Sequence, residues 1–166
     1  MTATRLTPVA LNRAEFSAFG DVIDIADQQP LTINYGQTLR YDDLAHIDVA
    51  EQGGRPVLSI FRSKPVSLPF HVEVLEYHPL GSQTFMPLHD RPFLVLVAPP
   101  GPVLEPAMIC AFITNGMQGV SYHKGTWHHY QLSLEMESDY LVIDRGGAGD
   151  NCVESRLDND VWIDAI

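Results

Sequence analysis

The sequence predicts an all-β barrel or sandwich with one or two short helices. Strand-like runs recur along the whole chain. Clusters of Gly, Pro, Asn and Asp separate them about every eight to twelve residues. Only one stretch carries helix signals. No internal repeat, low-complexity segment or change of composition marks a boundary, so residues 1–166 are expected to form one domain.

Each element follows from local pattern. Arg5 to Leu11 reads as a first strand containing a proline. Asn12 to Gly20 reads as a short helix: Asn12 is a good N-cap, Glu15 completes a capping box, and Gly20 is a good stop. Phe16 and Phe19 would share its buried face. Asp21 to Ile25 is a strand, followed by turns at Asp27–Pro30 and Asn34–Gly36. Gln37 to Tyr41 is extended. A turn at Gln52–Pro56 leads into the strand Val57 to Arg62. Phe70 to His78 alternates with a period of two, with Val72, Val74 and Glu76 on one face and His71, Glu73, Leu75 and Tyr77 on the other. Pro79–Ser82 is a turn into the strand Gln83 to Met86. Pro92 to Val97 is apolar throughout, as expected of a central strand. Pro99 to Pro106 forms an exposed loop. Strands at Ala107–Phe112, Trp127–Leu134 and Asp139–Asp144 complete the set, and the acidic tail from Arg145 to Ile166 is expected to be less regular and to pack over one end.

Composition narrows the function. The chain of 166 residues is 45% apolar and 19% charged, ordinary for a globular protein with a real core. No apolar run approaches the roughly 20 residues that span a bilayer, and the N-terminus lacks the apolar centre of a signal peptide. Cys110 lies in an apolar run and Cys152 in a polar tail, which fits reduced thiols in a cytoplasm. A net charge of −11 argues against nucleic-acid binding. It also means that an anionic ligand needs a local cationic pocket.

Two polar constellations carry candidate chemistry. The first, Gly119 to His129, places His123, Lys124, His128 and His129 between apolar runs, with glycines that permit sharp turns. The second is Glu76-Tyr-His78-Pro-Leu-Gly-Ser-Gln83. On a strand Glu76 and His78 point the same way, and Gln83 is expected to open the neighbouring antiparallel strand across from His78. Among the cations, Arg62 and Arg145 end strands and Lys124 lies nearest the histidines. An arginine at a barrel mouth suits a carboxylate. Ser59 sits mid-strand, on the opposite face from Arg62. His46, His71 and His89 fall outside both constellations.

These residues resemble a degenerate cupin pattern. The first cupin motif has His-x-His and then Glu; here stand Glu76-x-His78 and then Gln83. The second has Pro-x-Gly-x-x-His; here stand His123-x-Gly125-x-x-His128. By this resemblance Glu76, His78, Gln83 and His128 line the mouth of a small β-barrel. Such an oxygen-and-nitrogen set suits nickel, manganese or zinc. The other reading is a metal-free pocket in which the same side chains bond to one another.

Phe16–Ile23, Glu76–Gln83, Phe112–Gly116, Gly119–His123, Trp127–His129 and Ile143–Gly147 together resemble the bacterial ureidoglycolate lyase family, over nearly the whole chain and in order. The resemblance implies a cupin-like barrel, a homodimer and a late step of allantoin breakdown: cleavage of (S)-ureidoglycolate into glyoxylate and urea. It also implies a divalent metal, nickel, as a possible cofactor. The chemistry requires a base for the hydroxyl proton, an acid for the departing nitrogen and a cation for the carboxylate. Glu76, His123 and His128 are candidates for the base, and Lys124 with an arginine for holding the carboxylate. Ser59, Arg62, Arg145 and Gln83 are candidates for binding the substrate. The remaining readings are a hydrolase releasing ammonia, a metal-dependent cupin oxygenase or isomerase, and a small-acid binding module without catalysis.

Overall fold

A computed structural model describes residues 3–166. In chain order, β1 (Thr4–Leu6) and β2 (Val9–Ala10) precede α1 (Arg13–Phe16), β3 (Gly20–Ile23), β4 (Leu31–Ile33) and β5 (Thr38–Arg40). Then come β6 (Arg55–Ser63), β7 (Phe70–Tyr77), β8 (Gln83–Pro87), β9 (Phe93–Ala98) and β10 (Cys110–Ile113). The chain closes with β11 (Gly119–Tyr122), β12 (Trp127–His128), β13 (Leu132–Ser133), β14 (Ser138–Gly146) and β15 (Val153–Ile163). The architecture is the expected all-β, cupin-like one. The larger sheet runs β1-β15-β7-β12-β9-β10-β2, with β13 also on β9; the smaller runs β3-β11-β8-β14-β6.

The apolar strand β9 lies inside the larger sheet and is buried on both faces. Phe93, Val95 and Val97 join Phe85, Val120, Tyr122, Tyr140 and Val142 of the smaller sheet in the core between the sheets. Leu94, Leu96 and Ala98 pack outward with Trp127, Leu132 and Ile163. Continuous hydrophobicity in β9 is thus the signature of a strand covered on both sides.

Several expectations are corrected. Pro8 and its neighbours split the first strand into β1 and β2, each paired in parallel with a different partner. The helix is a single turn. Asn12 caps it, its Oδ1 accepting from the Glu15 amide at 3.0 Å, and Phe16 and Phe19 do share the core. Gly20 does not stop the helix; it begins β3, where a Cβ would lie 2.1 Å from the Ser121 carbonyl oxygen. Glycine is needed there for close backbone approach.

Gly119–Tyr122, to which the sequence assigned no element, is a fully buried strand inside the smaller sheet. Trp127–Leu134 is not one strand but two, interrupted at residues 129–131. The tail is more regular than expected: β15 is the longest strand, lying between β1 and β7. Its first half is mostly solvent-facing and acidic, so pairing with β7 rather than its own composition makes it a strand. Val72 and Leu75 of β7, expected on opposite faces, both pack in the outer cluster. The change of face coincides with a register shift in β15 between Arg156 and Val161.

Candidate active site

The site forms where β7 and β12 of the larger sheet face β8 of the smaller one. Glu76 on β7 and His128 on β12 are direct cross-strand partners, so their side chains share one face. His78 follows two residues after Glu76. Gln83 was expected on the strand next to β7. It opens β8 in the other sheet instead, and reaches across the gap between the sheets. Its Oε1 lies 3.1 Å from both His78 Nε2 and His128 Nε2. Glu76 Oε1 lies 3.8 Å from the first and 3.6 Å from the second. The ligand atoms of Glu76, His78 and His128 all lie within 4.8 Å of one another.

Backbone carbonyls fix the histidine tautomers. His78 Nδ1 donates to the Asn151 carbonyl at 2.6 Å, and His128 Nδ1 donates to the Thr126 carbonyl at 2.9 Å. A carbonyl only accepts, so each Nδ1 carries a proton, and in a neutral ring each Nε2 keeps a bare lone pair. With both rings neutral, two imidazole lone pairs, the Gln83 oxygen and the Glu76 carboxylate converge on one point. A divalent cation fits such a donor set, and the carbonyl bonds behind the imidazoles are the usual support for metal-binding histidines.

Burial and neighbouring groups shift the charge states of both Glu76 and His128. The His128 imidazole beside it holds the Glu76 carboxyl below its usual range, against the opposing effect of burial, with His78 and the Cys152 thiol adding to the lowering. Glu76 is thus a carboxylate at neutral pH. Burial holds His128 below the usual imidazole range, so the ring stays neutral. The Tyr122 ring stacks on it at 4.3 Å.

Three further groups stand at the edge of this cluster, of which His129 belonged to a constellation picked out from the sequence. Asn151 accepts from His78 through its carbonyl and from the Leu80 amide through its side chain at 2.8 Å. Cys152 lies beside Glu76, its Sγ 3.5 Å from Oε2. His129 sits next to a cavity of about 150 Å³ at the break after β12, shared by Glu76, His128, Tyr130 and Glu154. Burial pushes the His129 imidazole down to about 4. An unfolded imidazole near 6.5 takes up its proton first, so this group's contribution to stability is complete above pH 6.5 and declines as pH falls toward 4. The expected loss is about 3 kcal/mol. Denaturant melts between pH 7 and 4 check it, and His129→Gln flattens the profile.

The remaining sequence candidates lie apart from this cluster. His123 pairs with Asp21 at 3.4 Å, and Lys124 pairs with Glu51 and, at 3.7 Å, with Asp48. With His46 and Ser82 they line a separate cavity of about 320 Å³. Arg62 forms a two-pronged bond with Asp139 at 2.7 and 2.9 Å on the exposed face of the smaller sheet. Ser59 faces inward, opposite Val142, on the edge strand β6. Arg145 is buried and donates to backbone carbonyls of Glu51, Gln52 and Ala148. His71 stacks on Trp162, and His89 packs on Tyr140.

The fold and this donor set define a cupin-like protein with a candidate metal centre between its sheets. The family model described as ureidoglycolate lyase matches residues 3–164. A Burkholderia mallei protein named ureidoglycolate lyase is 52% identical over 153 residues, covering 92% of this chain and 89% of the relative. Relatives of the same name in Pseudomonas aeruginosa and Pseudomonas fluorescens are 46% and 44% identical, covering 90% and 93% of this chain and 89% and 93% of their own lengths. The chain belongs to the ureidoglycolate lyase family. No helix among the described residues is long and apolar enough to cross a membrane.

Proposed function

We propose that this protein is a ureidoglycolate lyase that cleaves (S)-ureidoglycolate into glyoxylate and urea, a carbon–nitrogen lyase of the amidine-lyase type. The observation that carries the reading is the convergence of the Glu76 carboxylate with His78, His128 and Gln83, in a chain of this family. The substrate carries a carboxylate, a hydroxyl and a ureido nitrogen on one carbon. Lysis moves one proton from the hydroxyl to the departing nitrogen, forms the C=O bond of glyoxylate and breaks the C–N bond; no water is consumed. Glu76, ionised at neutral pH and only part-buried, is the base for the hydroxyl proton and can return it to the urea nitrogen. His78, His128, Gln83 and Glu76 would hold a divalent metal, nickel by family resemblance. When bound, it supplies Lewis-acid polarisation and the positive charge that the substrate carboxylate needs. The cations Arg62, Lys124 and Arg145 are each engaged by other groups of the chain, which favours a metal over an arginine in that role.

The test is turnover with urea, ammonia and glyoxylate all quantified, before and after chelation. Equal urea and glyoxylate, lost on chelation and restored by nickel, supports the metal-assisted lyase. Ammonia in place of urea makes the protein a hydrolase. Saturable binding without turnover makes it a binding module.

The protein is further proposed to act as a homodimer. Leu58 and Ile60 of the edge strand β6 are 69% and 56% exposed, beside half-buried Ile143 and Leu141 on the same face. The hairpin of β4 and β5 pairs with no other strand among the described residues, and exposes Leu31, Tyr35 and Leu39. Exposed apolar area of this extent suits a self-complementary interface. The double variant Leu58→Asp with Ile60→Asp is expected to halve the mass measured by light scattering; an unchanged dimer would place the interface elsewhere.

A further inference from the structure

Gln83 has an end-for-end ambiguity that decides the character of the site. A primary amide presents an acceptor oxygen at one end and a donor NH₂ at the other, in nearly the same shape. Were the NH₂ turned inward, Gln83 would donate to both bare imidazole nitrogens, and the pocket would be satisfied without a cation. With the oxygen inward and both rings neutral, three lone pairs meet, an arrangement that a cation reconciles. In the structure Oε1 faces His78 and His128 at 3.1 Å, while Gln83 Nε2 donates to Asp144 Oδ2 at 3.4 Å. The pairing of Ile143 with Thr84 sets Asp144 beside Gln83 on the adjacent strand β14. A carboxylate only accepts, so it holds the NH₂ and repels a flipped amide oxygen.

We propose that Asp144 is a positioning residue: its carboxylate fixes the Gln83 amide with the oxygen toward His78 and His128, and so makes a cation site of what would otherwise be a self-satisfied polar pocket. Asp144 is not itself in the cluster of converging ligand atoms. The inference rests on the metal reading given above.

The experiment is calorimetric titration of nickel into chelator-stripped full-length protein. Asp144→Ala is expected to weaken nickel binding about 10–100-fold, the usual cost of losing a group that orients a ligand. Asp144→Asn, whose amide can accept from the Gln83 NH₂ but can also donate to a flipped oxygen, is expected to weaken binding less than Asp144→Ala. Asp144→Ser, too short to hold the amide, replaces the alanine variant if that one does not fold. The decisive comparison is made in a Gln83→Glu background, which has no amide to orient; there Asp144→Ala should no longer weaken binding. Equal weakening in both backgrounds would show a simple charge effect and overturn the proposal. So would unchanged affinity in Asp144→Ala while the unaltered protein binds nickel. Failure of the unaltered protein to bind nickel would instead overturn the metal reading itself, and this inference with it.

Discussion

Glu76→Gln and His128→Ala are each expected to lower kcat/KM for (S)-ureidoglycolate by about 10²–10⁴-fold, which corresponds to roughly 3–5 kcal/mol of transition-state stabilisation. The glutamine keeps the size of Glu76 but cannot take a proton, so the loss should fall on kcat. The carboxyl also loses the charge that faces His78 and His128. His128 is fully buried beneath Tyr122 and opposite Glu76, so its removal takes away one converging nitrogen and leaves a hole behind it. Steady-state kinetics, with circular dichroism to establish folding, measures both effects. Near-native rates in two folded variants would move the chemistry away from this cluster. The cavity of His123 and Lys124 would then be the next place to test.

How far the sequence reached depended on the range of each interaction. The period-two pattern of Phe70–Tyr77, the unbroken apolar run of Phe93–Ala98 and the Asn12–Glu15 cap are local signals, and each corresponds to an observed element. The spacing of Glu76 and His78 likewise follows from one strand. Gln83 was placed near His78, but by the wrong route: the turn at Pro79–Ser82 carries the chain to the opposite sheet rather than to a neighbouring strand. Which sheet a strand joins is decided by pairing partners far along the chain, and no short window contains that choice. The same holds for β15, whose acidic first half gave no strand signal. The partners of the cations were out of reach for a related reason. Strand-end arginines suit a carboxylate ligand, yet Arg62 finds Asp139, 77 residues away, and Lys124 finds Glu51, 73 residues away. The groups behind the imidazoles, Asn151 and Thr126, act through their carbonyls, which every residue type possesses.

Arg145 shows how these two roles for an arginine separate experimentally. Arg145→Ala is expected to cost about 3–5 kcal/mol of stability while leaving KM nearly unchanged wherever the variant is folded. The side chain is 7% exposed. Its Nε and Nη2 donate to the Glu51 carbonyl at 3.0 and 2.8 Å, and Nη2 also donates to the Ala148 carbonyl at 3.0 Å. Nη1 is buried and does not face solvent. The surroundings are built around it: a Cβ on Gly54 would lie 2.4 Å from Nε, and one on Gly81 would lie 2.8 Å from the arginine Cβ. Charge-assisted hydrogen bonds of this kind contribute about 1.5–3 kcal/mol each, and their loss strands buried carbonyls of the 51–52 and 148 loops. A chain of this length loses about 2–4 °C in Tm per kcal/mol, so the drop should be near 10 °C. Arg145→Lys recovers little of it, because a single ammonium cannot serve carbonyls in two loops with the geometry of the planar fork. The opposite pattern, a raised KM with Tm unchanged, would return Arg145 to the substrate-binding role its sequence position suggests.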